Sequence, residues 1–178
     1  MLILENFKKK MSYFYVFQKY KEKELELMSY KDFYKKANDI LLIIPDNEAE
    51  FKNSLDFVYA LAETKKNIKL FIRDYRVSLV ARKNSISYLD YNIKDFTKFN
   101  LPTKVFLNNI IERKYDIVID CNIIEDIFTT VIVASINAKY KIGFKRGRTD
   151  RFYNFLLVNR ENNPAFSYRN LLNSLQMF

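Results

Sequence analysis

A chain of 178 residues is long enough for one well-packed core and too short for two full α/β domains; its 49% apolar and 16% aromatic content argues against disorder. The formal net charge is +9, there is no histidine, and Cys121 is the single cysteine. Those counts exclude Ser–His and Cys–His catalysis and an intramolecular disulfide framework, and they argue against a zinc site, so neither metal nor cofactor is expected.

No stretch of 18 uncharged apolar residues occurs, so no transmembrane helix is expected. Lys8, Lys9 and Lys10 are followed by charged and aromatic residues rather than the short apolar run of a signal peptide, which makes the cytoplasm the expected location. The positive charge is localised. Residues 1–36 hold nine Lys against five Asp/Glu, residues 139–151 hold six Lys/Arg against one Asp, and the rest of the chain balances. Such segments suit an anionic partner: RNA, a phosphorylated glycan or membrane headgroups. A compositional preference for lysine is the competing explanation.

Residues 1–36 read as a helical arm, with Phe7, Met11, Phe14, Phe17 and then Leu25, Met28 and Phe33 recurring at three- and four-residue steps. Ser29 is placed to cap a second helix starting near Tyr30. From residue 37 the pattern changes to that of an α/β domain. Ile40–Ile44 has the continuous apolar pattern of a buried parallel strand, and Phe51, Leu55, Val58 and Ala62 mark one face of a helix over Glu48–Lys65. Ile68–Ile72 completes a strand–helix–strand unit. A short helix around Arg76–Ala81, a strand around Ile86–Leu89 and a loop over residues 90–101 come next. Pro102 suits the first turn of a helix running to about Arg113. Tyr115–Asp120 is the clearest strand, followed by a helix over Glu125–Asn137 and a strand over Tyr140–Phe144. The basic loop Lys145–Arg151, a strand near Phe155–Val158 and a helix over Ala165–Met177 end the chain. The alternation predicts a Rossmann-like α/β fold: a mostly parallel sheet with flanking helices, spanning residues 37–178 and carrying the arm.

Three places attract chemistry. The loop after the first strand, Pro45–Glu50, is where ligands sit in such folds, yet it has no glycine and three carboxylates, so it is neither a dinucleotide fingerprint nor a P-loop. Helix capping explains it, with Glu50 the candidate if a carboxylate there is catalytic. Asp120 ends an apolar strand at the carboxyl edge, and with Asn122 it is a candidate for holding a hydroxylated ligand; capping or local backbone bonding is the structural alternative. The Lys145–Arg151 loop puts Lys145, Arg146, Arg148 and Arg151 around Gly147, suited to phosphate or carboxylate, with Phe152 and Tyr153 as candidates for stacking on bases. A solvated loop with a buried aromatic anchor is the alternative there.

Two stretches resemble one family. Tyr115–Asp120 is similar to the tyrosine–aspartate–aliphatic–aspartate strand of bacterial heptosyltransferases, and Ala138–Phe144, with the basic loop and Phe152–Asn154 behind it, resembles their isoleucine–glycine–phenylalanine segment. The second stretch also looks like short bacterial proteins that keep only the N-terminal domain of those enzymes. The order of elements from Ile40 to about Leu157 fits that Rossmann-like domain. The resemblance implies an acceptor-side scaffold. The donor domain for ADP-heptose has no counterpart here, and the family's glycine–aspartate pair, with the aspartate as base, falls on Ala49 and Glu50.

The resulting expectation is a non-catalytic, heptosyltransferase-like binding module engaging an anionic partner, RNA or a ribonucleoprotein first and a phosphorylated glycan next. One alternative is a glycosyltransferase subunit for envelope polysaccharide whose donor site comes from another chain. Another is a structural subunit that docks into a larger protein complex, or oligomerises, through its N-terminal helix.

Overall fold

The computed structural model describes residues 2–20, 28–160 and 163–178. Six strands form one sheet: β1 (Asp39–Ile43), β2 (Asn67–Arg73), β3 (Ile86–Tyr91), β4 (Lys114–Asp120), β5 (Asn137–Phe144) and β6 (Phe155–Leu157). Every pairing is parallel, in the order β3-β2-β1-β4-β5-β6. The helices are α1 (Leu2–Lys19), α2 (Phe33–Lys36), α3 (Glu48–Ala62), α4 (Lys104–Ile111), α5 (Ile127–Ser135) and α6 (Pro164–Gln176). This is the Rossmann-like arrangement expected from the alternation, and the sheet is wholly rather than mostly parallel.

Both faces of the sheet are covered, which is why the central strands are continuously apolar. In β1, Ile40 and Leu42 face α3 and α6 with Phe57, Leu61 and Leu171, while Leu41 and Ile43 face the opposite layer with Phe71, Phe128 and Val131. The helical N-terminal arm contributes to that second layer. Val16 of α1 is fully buried there, and Ser12 Oγ donates to the Phe99 carbonyl at 2.6 Å, so α1 is packed onto the domain.

Several boundaries differ from the sequence reading. The second helix of the arm begins at Phe33 rather than near Tyr30. α1 ends at Lys19, residues 28–30 are non-helical, and α2 is one turn. Ser29 does not cap it; Asp32 precedes α2 with a left-handed φ of 55°. Leu25 lies outside the described residues. Pro102 stands before α4, whose N-cap is Thr103, accepting from Phe106 N. α5 starts at Ile127 rather than Glu125, and Asp126 is its N-cap, the carboxylate accepting from Thr129 N at 2.8 Å. The Arg76–Ala81 helix is a 3-10 helix over Asp74–Leu79, and another 3-10 turn, Ile93–Asp95, lies within the predicted 90–101 loop.

The connection from β3 through α4 carries the chain back across β1 to β4. The strand order therefore reverses between β1 and β4. The loops leaving those two strands flank the crevice in which ligands bind in folds of this type. Further along, β5 and β6 are parallel neighbours joined only by residues 145–154, which makes the basic loop a compact crossover.

Candidate functional site

The loop after β1 is neutralised by its own chain. Asn47 caps α3 by accepting from Glu50 N at 3.1 Å. Asp46 accepts from Arg73 Nε at 3.2 Å and from Tyr75 Oη at 2.5 Å. Arg76 donates to the Asp46 carbonyl at 2.7 Å and to Glu48 Oε2 at 3.1 Å, with its guanidinium 4.3 Å from the Phe51 ring centre. The positive end of α3 thus faces carboxylates already held by arginines at the end of β2 and in the 3-10 helix after it.

Glu50 points inward. It is 4% exposed, and its Oε2 accepts from Ile123 N at 2.7 Å, which staples α3 to the loop after β4 and closes the crevice between them. Burial raises its carboxyl above the usual range, against the pull of the Ile123 and Ile124 amides.

Asp120, fully buried at the end of β4, is the hub of the opposite wall. Its Oδ1 accepts from the backbone N and the Nδ2 of Asn122, at 3.0 and 2.7 Å. Its Oδ2 accepts from Arg146 Nη2 at 2.9 Å and from Tyr153 Oη at 2.5 Å. Arg146 also donates through Nη1 to the Asn122 carbonyl at 2.8 Å. Burial pushes the Tyr153 phenol up, and the Asp120 carboxylate pushes it further, so the hydroxyl stays protonated and serves as a donor. For Arg146, burial acts to lower the guanidinium, but Asp120 and Tyr153 outweigh it and hold the charge in place. Gly143 of β5 makes room for this cluster: a Cβ there would stand 2.7 Å from Tyr153 Cε1. The glycine of the Ile142–Phe144 segment is therefore a steric requirement of the Tyr153 ring.

Of the candidates read from sequence, Asp120, Asn122 and Arg146 are brought together, but as partners of one another. Tyr153 is buried within the same cluster, and its ring is not offered to a base. Phe152 is half-buried and stacked on Phe17 of α1, centroids 5.9 Å apart and 26° between planes. Tyr153 is therefore not available for base stacking. Lys145, Arg148 and Arg151 remain exposed.

The loop itself is ordered by the one acid in its basic segment. Asp150 Oδ1 accepts from Arg146 N and Gly147 N at 2.8 and 3.0 Å, and Gly147 takes a φ of 112° that suits glycine. Thr149 N donates to Glu125 Oε1 at 3.1 Å, and the Tyr13 hydroxyl donates to the other oxygen of the same carboxylate. Arg148 lies over the Tyr13 ring and Arg151 over the rings of Phe17 and Phe152. Helix periodicity sets Lys9 and Lys10 one turn ahead of Tyr13, on the flank that leads to Arg148. The segments that carry the charge surplus also meet at the far end of β5, where Lys31, Lys36 and Lys139 line a pocket of about 310 Å³ with Tyr140 and Asp116.

Sequence reasoning missed Arg73, Tyr75 and Arg76 as partners of the β1 loop, and Asp150 and Glu125 as organisers of the basic loop. Phe7 and Phe14, which the sequence pattern sets on the arm's repeating apolar face, are 59% and 62% exposed on α1. The three-residue spacing of Lys10–Tyr13 and of Phe14–Phe17 carried part of that signal. Among the described residues no cluster of three or more Cys, Asp or Glu is arranged to hold a metal ion, and no helix is long and apolar enough to cross a membrane.

The fold defines a Rossmann-like α/β protein whose strand-end crevice is filled by its own ion pairs, with Lys145, Arg148 and Arg151 exposed in the loop after β5. Residues 8–178 match the DUF6913 family, a family of unknown function, and the chain belongs to it. No curated protein matches the chain.

Proposed function

We propose that this protein is a non-catalytic binding module that engages an anionic macromolecule, single-stranded RNA first, across the surface shared by α1 and the Lys145–Arg151 loop. The observation that carries this reading is the convergence of two basic segments more than a hundred residues apart. Arg148 and Arg151 rest on Tyr13 and Phe17 of α1, and Lys9 and Lys10 stand one helical turn before Tyr13 on the same helix. Exposed Phe14, one helical turn from Lys10 and from Phe17, supplies a face on which a base can stack. The heptosyltransferase resemblance contributes the scaffold to this proposal and not the chemistry.

The glycosyltransferase alternative needs Glu50 free to take a proton from an acceptor hydroxyl. Its burial and its bond to the Ile123 amide favour a stapling role instead. Filter binding with single-stranded RNA at several salt concentrations tests the proposal. Binding should weaken steeply with salt, because phosphate contacts release counterions. Affinity indifferent to salt, or none at low salt, would reject it. Affinity purification with and without nuclease separates it from docking into a protein complex, which survives nuclease.

A further inference from the structure

On the flank of α1 away from the basic loop, α1 and the segment leading into α4 enclose an elongated groove of about 350 Å³. Met11 and Tyr15 form one wall, Phe99 part of the rim, and Leu107 with Val131 of α5 the floor. From Met11 to Lys19 the α1 wall runs two turns, about 12 Å. The polar groups inside are already used: Ser12 Oγ is bonded to the Phe99 and Lys8 carbonyls, and Thr97 Oγ1 accepts from Leu101 N. The Tyr20 hydroxyl is also taken, by Ser135 Oγ, so apart from the exposed Tyr15 hydroxyl the interior offers apolar contact. The charged groups in the lining are Lys19 on α1 and Lys104 at the start of α4, and no carboxylate stands among them. Lys19 Nζ is 5.7 and 5.2 Å from the ring centres of Tyr15 and Tyr20, which keeps it beside the groove.

We propose that this groove binds a single-chain amphiphile with an anionic head, an alkyl carboxylate, whose chain lies along α1 while the head pairs with Lys19 and Lys104. Length favours a chain over a compact ring system. The two ammonium groups, with no acid opposing them, select an anion over a neutral or cationic head.

Calorimetric titration of the full chain with decanoate below its micelle concentration tests this, with decyltrimethylammonium and phosphatidylglycerol vesicles as parallel arms. Decanoate should bind saturably at one site, and decyltrimethylammonium at least about tenfold more weakly. The Lys19→Gln/Lys104→Gln variant should raise the decanoate Kd about tenfold with an unchanged melting temperature. Met11→Trp, at a position already 43% exposed and so tolerant of change, should block the groove and abolish the heat. No saturable decanoate heat, equal binding of the cationic amphiphile, an unchanged Kd in the lysine variant, or binding to vesicles without binding to decanoate would each overturn the proposal. The last result would mark a membrane-facing surface rather than a ligand site.

Discussion

Arg146 and Asp120 form a buried ion pair, Nη2 to Oδ2 at 2.9 Å, with side chains 3% and 0% exposed. The pair joins the loop after β5 to the carboxyl end of β4, at the edge where a Rossmann-like fold ordinarily opens to a ligand. Here it is closed by the chain itself, with Tyr153 and Asn122 completing the carboxylate's partners.

A pair this deep costs much more to break than to replace, since removing one partner leaves a charge without compensation. Arg146→Met should destabilise the protein by about 3–5 kcal/mol, and Asp120→Asn/Arg146→Met by less than the single change. Urea unfolding of both variants and of Asp120→Asn checks this. Additive costs would mean that the two groups do not act as a unit.

Gly143→Ala should cost about 1–3 kcal/mol through overpacking, because the added methyl meets a Tyr153 ring held by Asp120 and Arg146. Combining it with Tyr153→Leu, which removes the ring's far edge, should recover part of that loss. No recovery in thermal unfolding would place the clash elsewhere.

Glu50 gives a pH signature. Its folded-state carboxyl titrates above its unfolded value, so the folded state keeps the proton longer and stability falls as pH rises from the ordinary carboxylate range through the raised value. Glu50→Gln keeps an acceptor for Ile123 N and removes the buried charge. Relative to this variant, the wild type should therefore lose stability from about pH 4 upward, tracked by urea midpoints between pH 4 and 7. Glu50→Ala orphans the Ile123 amide and should cost about 1–3 kcal/mol at neutral pH. A gap between wild type and Glu50→Gln that instead widens toward low pH would contradict the account.

Much of the fold was legible because burial on both faces writes itself into a parallel strand. Ile40–Ile44 and Tyr115–Asp120 could only be central strands, and helices between them force the crossovers. The packing of the arm's second helix was not legible. Its three- and four-residue spacing puts Phe33 on a helix, as found, but says nothing of its burial against Tyr140 and Phe178 in contacts distant in sequence. The candidate site was legible in its residues and not in their partners. Asp120, Asn122 and Arg146 were singled out as ligand groups, but the register that sets Asp120 beside Gly143 brings the residues just beyond each strand end together. Charge counted along a sequence does not reveal which cations are already paired. Of the four in the basic loop, Arg146 is spent internally.

Arg148 and Arg151, resting on Tyr13 and Phe17, make α1 part of the proposed interface. Phe14→Ala should weaken single-stranded RNA binding by about 1–3 kcal/mol, the loss of one stacked base, while leaving the salt slope unchanged. Loss of helicity in this variant would be visible by circular dichroism. A weakened affinity without that loss assigns the ring to contact.

RNA binding is proposed for the joint surface of α1 and the basic loop. Its most direct measurement is the salt slope of RNA affinity for the wild type and for Arg148→Gln/Arg151→Gln, with Arg82→Gln/Lys83→Gln as a control on another face. The account predicts weaker binding and a slope shallower by about 1.4 for the loop variant, two phosphate contacts on a single strand, and no change for the control. Equal slopes for all three proteins, or no RNA binding by the wild type, would contradict it.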